Sequence, residues 1–457
     1  MNEILWNEIL KFELDNPNDE YGFLTRLAFE NKWTIHFAKT AIIEYKKFMY
    51  LAAVSNEMVS PSEIVDIVWH QHLIFTSSYA DFCSLLSKKI EHIPSTHNRT
   101  EAEKFHKAKE RTKELYEQNF GNQPEEIWKY SNELDSFNLA KSTIEIDTLK
   151  RVFLGLLFIL LFPIYYIIKP TLIQIGNPDF LILYILLFVV TIVLLMRFVK
   201  TTAASFYEDI KSNFILAHLS PFELVFLQND KLEFVIHGVV NNLISNKKIL
   251  VLTNNRLQLI DESLTDDKYE NCVIEVMKEH EPMPYPQLFK IIARKPLFEQ
   301  IEKSVARIRK RIVDSKQFMY IIKIVLVVLG LMLSIGFSRI ITGISRDEPV
   351  TFLLFTIFAL LIISKIYFNK IVNYLFTITI PLAFKDEKLN PENEKDWQWN
   401  YFFFGQVVLA SSFLPLAGYV NRNNADSGSG SGGSSCGSSC GSSCGSSCSS
   451  CGGCGGD

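Results

Sequence analysis

Four long apolar runs most strongly constrain how this chain can fold. Residues 152–168 and 180–196 carry no charge, and a short polar turn with Pro and Gly separates them. Residues 318–337 contain one lysine near their start. Residues 350–363 contain no charge, and this run can extend to Phe368 if Lys365 snorkels to the membrane surface. A helix needs about 20 consecutive apolar residues to cross a bilayer core. The runs therefore predict two transmembrane hairpins.

Composition excludes some partners and favours no enzyme class. The chain has 457 residues, 48% of them hydrophobic, and a formal net charge of -4. This balance is unlike that of a general nucleic-acid-binding protein, so nucleic acid is not an expected partner. No Gly-rich phosphate loop, H-E-x-x-H run or Ser/His/Asp ordering is evident. We therefore expect a role without catalysis.

The charges that flank the spans predict orientation. Basic residues precede the first span, follow the second and precede the third, at Lys150, Arg151, Arg197, Lys200 and residues 307–317. Because such residues favour the cytoplasmic side, residues 1–145 and 201–317 should be cytoplasmic. Residues 401–420 are uncharged and follow Trp397 and Trp399, so they are a candidate fifth span that would put the tail outside.

The expected fold class is a mainly α membrane protein with a winged-helix-like α+β insert. Residues 371–384 are apolar but short, so they should lie in the interface or against the bundle. The domains expected are a helical cytoplasmic domain (1–145), a first hairpin (151–200), a winged-helix-like region (201–317), a second hairpin (318–370), an interfacial segment with the candidate fifth span (371–425) and a disordered tail (426–457).

A dense cluster of polar and aromatic residues lies early in the chain. "SPSE" at residues 60–63 is a capping-box pattern, which predicts a helix that begins there and continues through Trp69. Asp66 and His70 then share one helix face, because they are four residues apart. His72 can join them only if the helix ends near Gln71.

Two interpretations of this cluster stay open. If the helix ends early, Asp66, His70 and His72 converge on a zinc-like divalent cation, since imidazole and carboxylate suit such metals. Otherwise Asp66 and His70 pair across one turn while Trp69 and Leu73 fill the core.

The same cluster resembles a known family. Asp66, Trp69, His70 and His72, followed by Tyr79 and Cys83, are similar to the D..WH.H and Y...C pattern of the glycine-rich domain-containing proteins of plants and their bacterial relatives. Residues 115–130, with Phe120, Gly121 and Trp128, resemble the close of that domain. The resemblance covers about residues 1–130. It implies that these residues define a domain, and it implies no established chemistry.

A second capping box opens the region between the hairpins. "SPFE", from Ser220 to Glu223, predicts a helix over residues 221–228, and residues 232–245 form a second helix with one apolar face. Two short β runs flank Asn254 and Asn255, which suit a hairpin turn. This order suggests a winged helix, with a weaker second copy in residues 271–312. Its candidate recognition helix has no Lys or Arg, which favours packing or protein binding over DNA.

This region carries a second resemblance. Residues 219–252, placed after a hairpin in a chain with a Gly/Cys tail, resemble the near-membrane domain of an uncharacterised family of bacterial membrane proteins. The resemblance implies a bacterial inner-membrane location and no activity.

The tail after residue 425 consists of Ser, Gly and Cys apart from two aspartates. With no apolar surface to bury, it should be a flexible coil and serve as a tether. Three further roles stay open: binding of soft metals, disulfides if the tail is outside, and cyclisation of Cys and Ser by another enzyme. Its thiols are Cys436, Cys440, Cys444, Cys448, Cys451 and Cys454.

Together these features predict a membrane-anchored binding or assembly protein. Its partners would be the lipid bilayer and either another protein or a second copy of the chain. The alternative is a metal-dependent enzyme or metal-handling protein that uses Asp66, His70 and His72, the tail thiols, or both.

Overall fold

The structure is a computed structural model that describes residues 1–15, 19–93, 99–137, 139–211, 213–280, 282–388 and 396–428. Apart from residues 426–428, the tail lies outside the described residues. The predictions of its disorder, its side of the membrane and its thiol chemistry therefore concern a part that the structure does not describe.

The N-terminal domain is helical, as expected. Thr34 and Ser62 accept hydrogen bonds from backbone N–H groups one turn into the third and fourth helices, which fixes where these helices begin. The fourth helix thus begins two residues later than the "SPSE" pattern predicts. The helices are α1 (Glu3–Lys11), α2 (Phe23–Asn31), α3 (Ile35–Val54), α4 (Glu63–Ile74), α5 (Thr76–Leu85), α6 (Arg99–Phe120) and α7 (Glu125–Trp128).

Four helices are long and apolar enough to cross a membrane, and they confirm the two hairpins and the mainly α fold class. They are α8 (Ile146–Gln174), α9 (Asn177–Lys211), α16 (Lys316–Ile344) and α17 (Thr351–Tyr374). The last continues through a π-helical turn, Leu375–Thr379, into α18 (Ile380–Lys388). Residues 371–384 thus extend the fourth span, and Phe376 and Ile380 are buried.

Between the hairpins lies a compact insert with a small sheet. The capping box at Ser220 and Glu223 is present with both of its hydrogen bonds. Three antiparallel strands, β1 (Ile249–Val251), β2 (Arg256–Leu259) and β3 (Met283–Pro284), lie in sequence order. The insert helices are α10 (Phe214–Ala217), α11 (Pro221–Asn229), α12 (Leu232–Ser245), α13 (Lys268–Lys278), α14 (Tyr285–Ile292) and α15 (Pro296–Val313).

The helix, helix and hairpin order of the insert is as the sequence predicts, while the winged-helix assignment stays an interpretation. Strand β3 comes from the segment that was interpreted as a second copy, and it pairs with β2. The two segments therefore share one sheet.

The prediction of a fifth span is wrong. Residues 397–428 form α19 (Trp397–Phe404), a 3₁₀ turn at Gly405–Val408 and α20 (Leu414–Gly428), so no single helix covers residues 401–420. Gly405 has φ +58°, a positive value that glycine adopts readily, and α19 ends there. This C-terminal segment packs on the insert instead of crossing the membrane: Tyr401 and Phe413 are buried, and the Tyr401 hydroxyl donates to the carbonyl oxygen of Phe234 at 2.7 Å.

Helix α15 holds the N-terminal domain against the insert. Gln300 Nε2 donates to the carbonyl oxygen of Trp33 at 2.7 Å, and Arg307 donates to the carbonyl oxygen of Asn31 at 3.0 Å. The domain therefore sits on the side of the membrane helices that carries the insert.

Candidate metal centre

Helix α4 places two of the predicted ligands on one exposed face. Asp66 and His70 are one turn apart, and Asp66 Oδ2 lies 3.3 Å from His70 Nδ1. The His70 side chain is 55% exposed and the Asp66 side chain 35%, so solvent reaches both. This is the pairing that the sequence predicts for these two residues.

The third member of the cluster is His92 and not His72. His92 Nε2 lies 3.0 Å from Asp66 Oδ1, and the rings of His70 and His92 are 4.3 Å apart between centroids. One ligand atom from each of Asp66, His70 and His92 lies within 4.8 Å of the other two. A carboxylate and two imidazoles at this separation can share one cation.

The interpretation in which His72 joins Asp66 and His70 is wrong, because it required α4 to end near Gln71, whereas α4 continues to Ile74 and points His72 into the core. Its ring is fully buried, with Nδ1 2.8 Å from the Tyr45 hydroxyl and Nε2 3.1 Å from Ser78 Oγ. Burial lowers the pKa of His72 to about 4, so the ring is neutral at physiological pH. Both of its nitrogens are occupied, and His72 serves the packing of the domain.

His92 comes from a segment without regular secondary structure that follows α5. Ile90 is buried and His92 is largely buried, whereas Glu91 and Ile93 are exposed. This alternation is typical of an extended chain with one face against the protein. The sequence "KKIEHI" does not mark His92, because its two isoleucines are three residues apart and do not show the alternation that the structure has.

The other motif residues build the domain. The Trp69 ring lies edge-on to His92 at 4.7 Å between centroids. Trp128 Nε1 donates to Glu44 Oε2 at 2.7 Å, and Phe120 packs against the aromatic rings of the core. Gly121 has φ +81°, which ends α6.

Tyr79 and Cys83 lie one turn apart on α5, and the Tyr79 hydroxyl binds the segment that carries His92. The pKa of the Tyr79 phenol is raised, mainly by burial. Ser220 and Glu223 lie at the start of α11 and cap that helix. The tail cysteines 436–454 lie outside the described residues.

A cleft adjoins the cluster. Its volume is about 620 Å³, and its walls include Asp66, Trp69 and His92 together with Ser62 and Lys109. A cation held by Asp66, His70 and His92 would have three protein ligands. A zinc-like ion that binds three protein ligands keeps a coordination position for water or another molecule.

Comparison with known proteins gives one partial match. Glycine-rich domain-containing protein 1 of Arabidopsis thaliana is 29% identical over 99 residues, which is 20% of this chain and 12% of that protein. The match supports the resemblance to this group in part, and as a plant protein it does not support the expected bacterial origin. No protein-family profile matches the chain, and no solved structure matches it.

Proposed function

We propose that this integral membrane protein is a membrane-anchored binding protein whose N-terminal domain holds a zinc-like divalent cation at Asp66, His70 and His92. The convergence of these three side chains at the edge of a cleft carries the proposal. The ligand types favour zinc or a similar metal over magnesium or calcium, because two of the three are imidazoles.

The proposed role is binding or assembly rather than catalysis. The N-terminal domain is fixed to the insert through α15, and the insert lies between the two hairpins in the chain. This arrangement supports a domain that presents its cleft at a membrane surface to a protein partner or a second copy of the chain. The basic flanks of the spans favour the cytoplasmic side for this surface.

A cobalt titration of the full-length chain in detergent tests the proposal. The six tail cysteines are replaced by serine, so that tail thiols do not contribute. We expect one equivalent of Co²⁺ to bind, with visible bands typical of nitrogen and oxygen ligands and without thiolate charge-transfer absorption. Zn²⁺ should displace the Co²⁺.

Matched variants assign the ligands. We expect His92→Ala and His70→Ala each to weaken Co²⁺ binding at least about 10-fold, since the loss of a group that only supports a ligand already costs that much. The control is His106→Ala, which removes an exposed histidine that pairs with Glu110 on α6. No stoichiometric binding, or equal affinity in His92→Ala and His106→Ala, would contradict the proposal.

The tail thiols are a second candidate for metal handling. Six cysteines at three- and four-residue spacings can supply thiolate ligands for soft metals. Restoring them should add bound Co²⁺ with thiolate charge-transfer absorption, separate from the equivalent held by the histidines.

A further inference from the structure

The position of His92 depends on a segment that no helix or strand contains. Residues 88–93 run along the surface of the domain after α5, and His92 reaches Asp66 from there. A histidine on such a segment can hold a cation tightly only if other contacts fix the backbone, because ordering the segment on binding would cost free energy.

Two side chains fix this segment. At its start, Lys88 Nζ donates to the carbonyl oxygens of Ala52 at 2.8 Å and Ser55 at 2.7 Å, at the end of α3. In its middle, the Tyr79 hydroxyl donates to the carbonyl oxygen of Ile90 at 2.5 Å. Ile90 is two residues before His92, so this bond acts directly beside the ligand.

The Tyr79 hydroxyl is itself held by the helix that carries the other ligands. Trp69 Nε1 donates to it at 3.1 Å, and Trp69 lies between Asp66 and His70 on α4. The two hydrogen bonds, from Trp69 to Tyr79 and from Tyr79 to Ile90, thus join α4 to the segment with His92. They set the distance between the two halves of the cluster.

We propose that Tyr79 is a positioning residue for the cation site: its hydroxyl holds residues 88–92 so that His92 meets Asp66 and His70. This inference rests on the proposed function. It gives Trp69 and Tyr79, two motif residues outside the Asp66, His70 and His92 cluster, a defined effect on the site. A purely structural role would instead make Tyr79 matter only for the stability of the domain.

The test compares a partly buried tyrosine, Tyr79, with a fully buried one, Tyr45, because their hydroxyls bind different groups. Tyr79→Phe removes the hydroxyl that binds Ile90, and Tyr45→Phe removes a hydroxyl that binds His72, which is not a ligand. In the full-length chain with a serine tail, we expect Tyr79→Phe to weaken Co²⁺ binding by about 10- to 100-fold, as for other groups that orient metal ligands. Tyr45→Phe should leave the affinity unchanged although it lowers thermal stability.

Hydrogen exchange of the metal-free protein provides a second readout that does not depend on the cation. We expect faster exchange of the amides of residues 88–93 in Tyr79→Phe and not in Tyr45→Phe. Lys88→Met, which releases the other attachment, should likewise speed the exchange of these amides and weaken Co²⁺ binding.

The outcomes separate this inference from the proposed function. If the parent chain binds no Co²⁺, the proposed function fails, and unchanged exchange of residues 88–93 in Tyr79→Phe would overturn the positioning role as well. If the parent chain binds Co²⁺ but Tyr79→Phe and Tyr45→Phe have the same affinity, the cation site stands and the positioning role is wrong.

Discussion

At the scale of single residues, two buried carboxyl groups meet the start of α3. Glu133 Oε1 accepts hydrogen bonds from Thr34 N at 3.1 Å and Thr34 Oγ1 at 2.6 Å, and Glu223 Oε1 accepts from Ile35 N at 3.4 Å. Burial raises the pKa of Glu133 to about 7, and it also raises the pKa of Glu223. The N-terminus of a helix favours a negative charge, but here burial outweighs that attraction.

The raised pKa of Glu133 predicts that stability falls as pH rises. The folded protein binds the Glu133 proton more tightly than the unfolded chain does. The stabilisation from this proton is therefore complete below the unfolded-state pKa of about 4.5, and it is lost as pH rises through the folded-state pKa of about 7. Glu133→Gln keeps an oxygen acceptor and removes the ionisation. Between pH 5 and pH 8, we expect the free energy of unfolding of the variant to rise by up to about 3 kcal/mol relative to that of the parent.

Thermal unfolding of both chains in detergent, measured from pH 5 to pH 8, checks this prediction. Glu114→Gln, which changes an exposed carboxyl group on α6, is the control and should track the parent chain. If the unfolding temperatures of the parent and Glu133→Gln changed with pH in parallel, the pKa of the Glu133 carboxyl would not differ between the folded and unfolded chains.

The candidate cation site could be predicted from the sequence only in part. Asp66 and His70 follow from helical spacing, because residues four apart share a face wherever the helix ends. The third candidate ligand could not be predicted in this way. The position of His72 depends on where α4 ends, and the position of His92 depends on the path of an irregular segment. Both are set by tertiary contacts, such as the bond between Tyr79 and Ile90.

At the scale of elements, the C-terminal segment depends on a close approach at one glycine. A Cβ on Gly238 of α12 would lie 2.7 Å from Cε1 of the Tyr401 ring. The same helix offers Asn241 Oδ1, which accepts from Ala410 N at 2.7 Å, and His237 Nε2, which lies 2.9 Å from Asn421 Oδ1. Helix α12 is therefore the surface on which the segment folds.

We predict that Gly238→Val releases this segment. The added side chain would overlap the Tyr401 ring, so α19 and α20 should detach while the membrane helices stay folded. Limited trypsin digestion should then cleave faster after Arg422, which is exposed at the end of this segment. The control is Gly418→Ala, where a Cβ has no neighbour within 4 Å. Equal cleavage rates in the two variants would contradict this packing.

This segment also shows why hydropathy misleads here. Residues 401–420 are uncharged, long enough to span and preceded by Trp397 and Trp399, and these features led to the span prediction. The four helices that are long and apolar enough to cross a membrane satisfy a similar criterion. What distinguishes the segment is the positive φ of Gly405 and the complementary surface of α12, and neither is visible in a hydropathy pattern.

At the scale of the whole molecule, α15 connects the soluble domain to the membrane helices. Its Gln300 and Arg307 bind the end of α2 and the residues that follow it. Two residues after Arg307, Arg309 Nη2 donates to Asn373 Oδ1 of the fourth span at 3.3 Å, and its guanidinium lies 3.9 Å from the centre of the Phe376 ring. One helix thus fixes the N-terminal domain relative to the hairpins.

This arrangement removes the basis for a tail outside the cell. With four spans, and with the C-terminal segment bound to the insert, the chain leaves the described structure at residue 428 on the side of the N-terminal domain. We predict that the tail thiols and the cation site share one compartment. If that compartment is the cytoplasm, the thiols stay reduced.

The measurement that tests this account most directly is thiol labelling in intact cells with a reagent that does not cross the membrane. Three chains are compared, each with Cys83 and Cys272 replaced by serine. One keeps the tail cysteines, and two have a serine tail with a single cysteine, either H106C in the N-terminal domain or D347C in the turn between α16 and α17. The account predicts that the tail labels like H106C and opposite to D347C. Labelling of the tail together with D347C would contradict it.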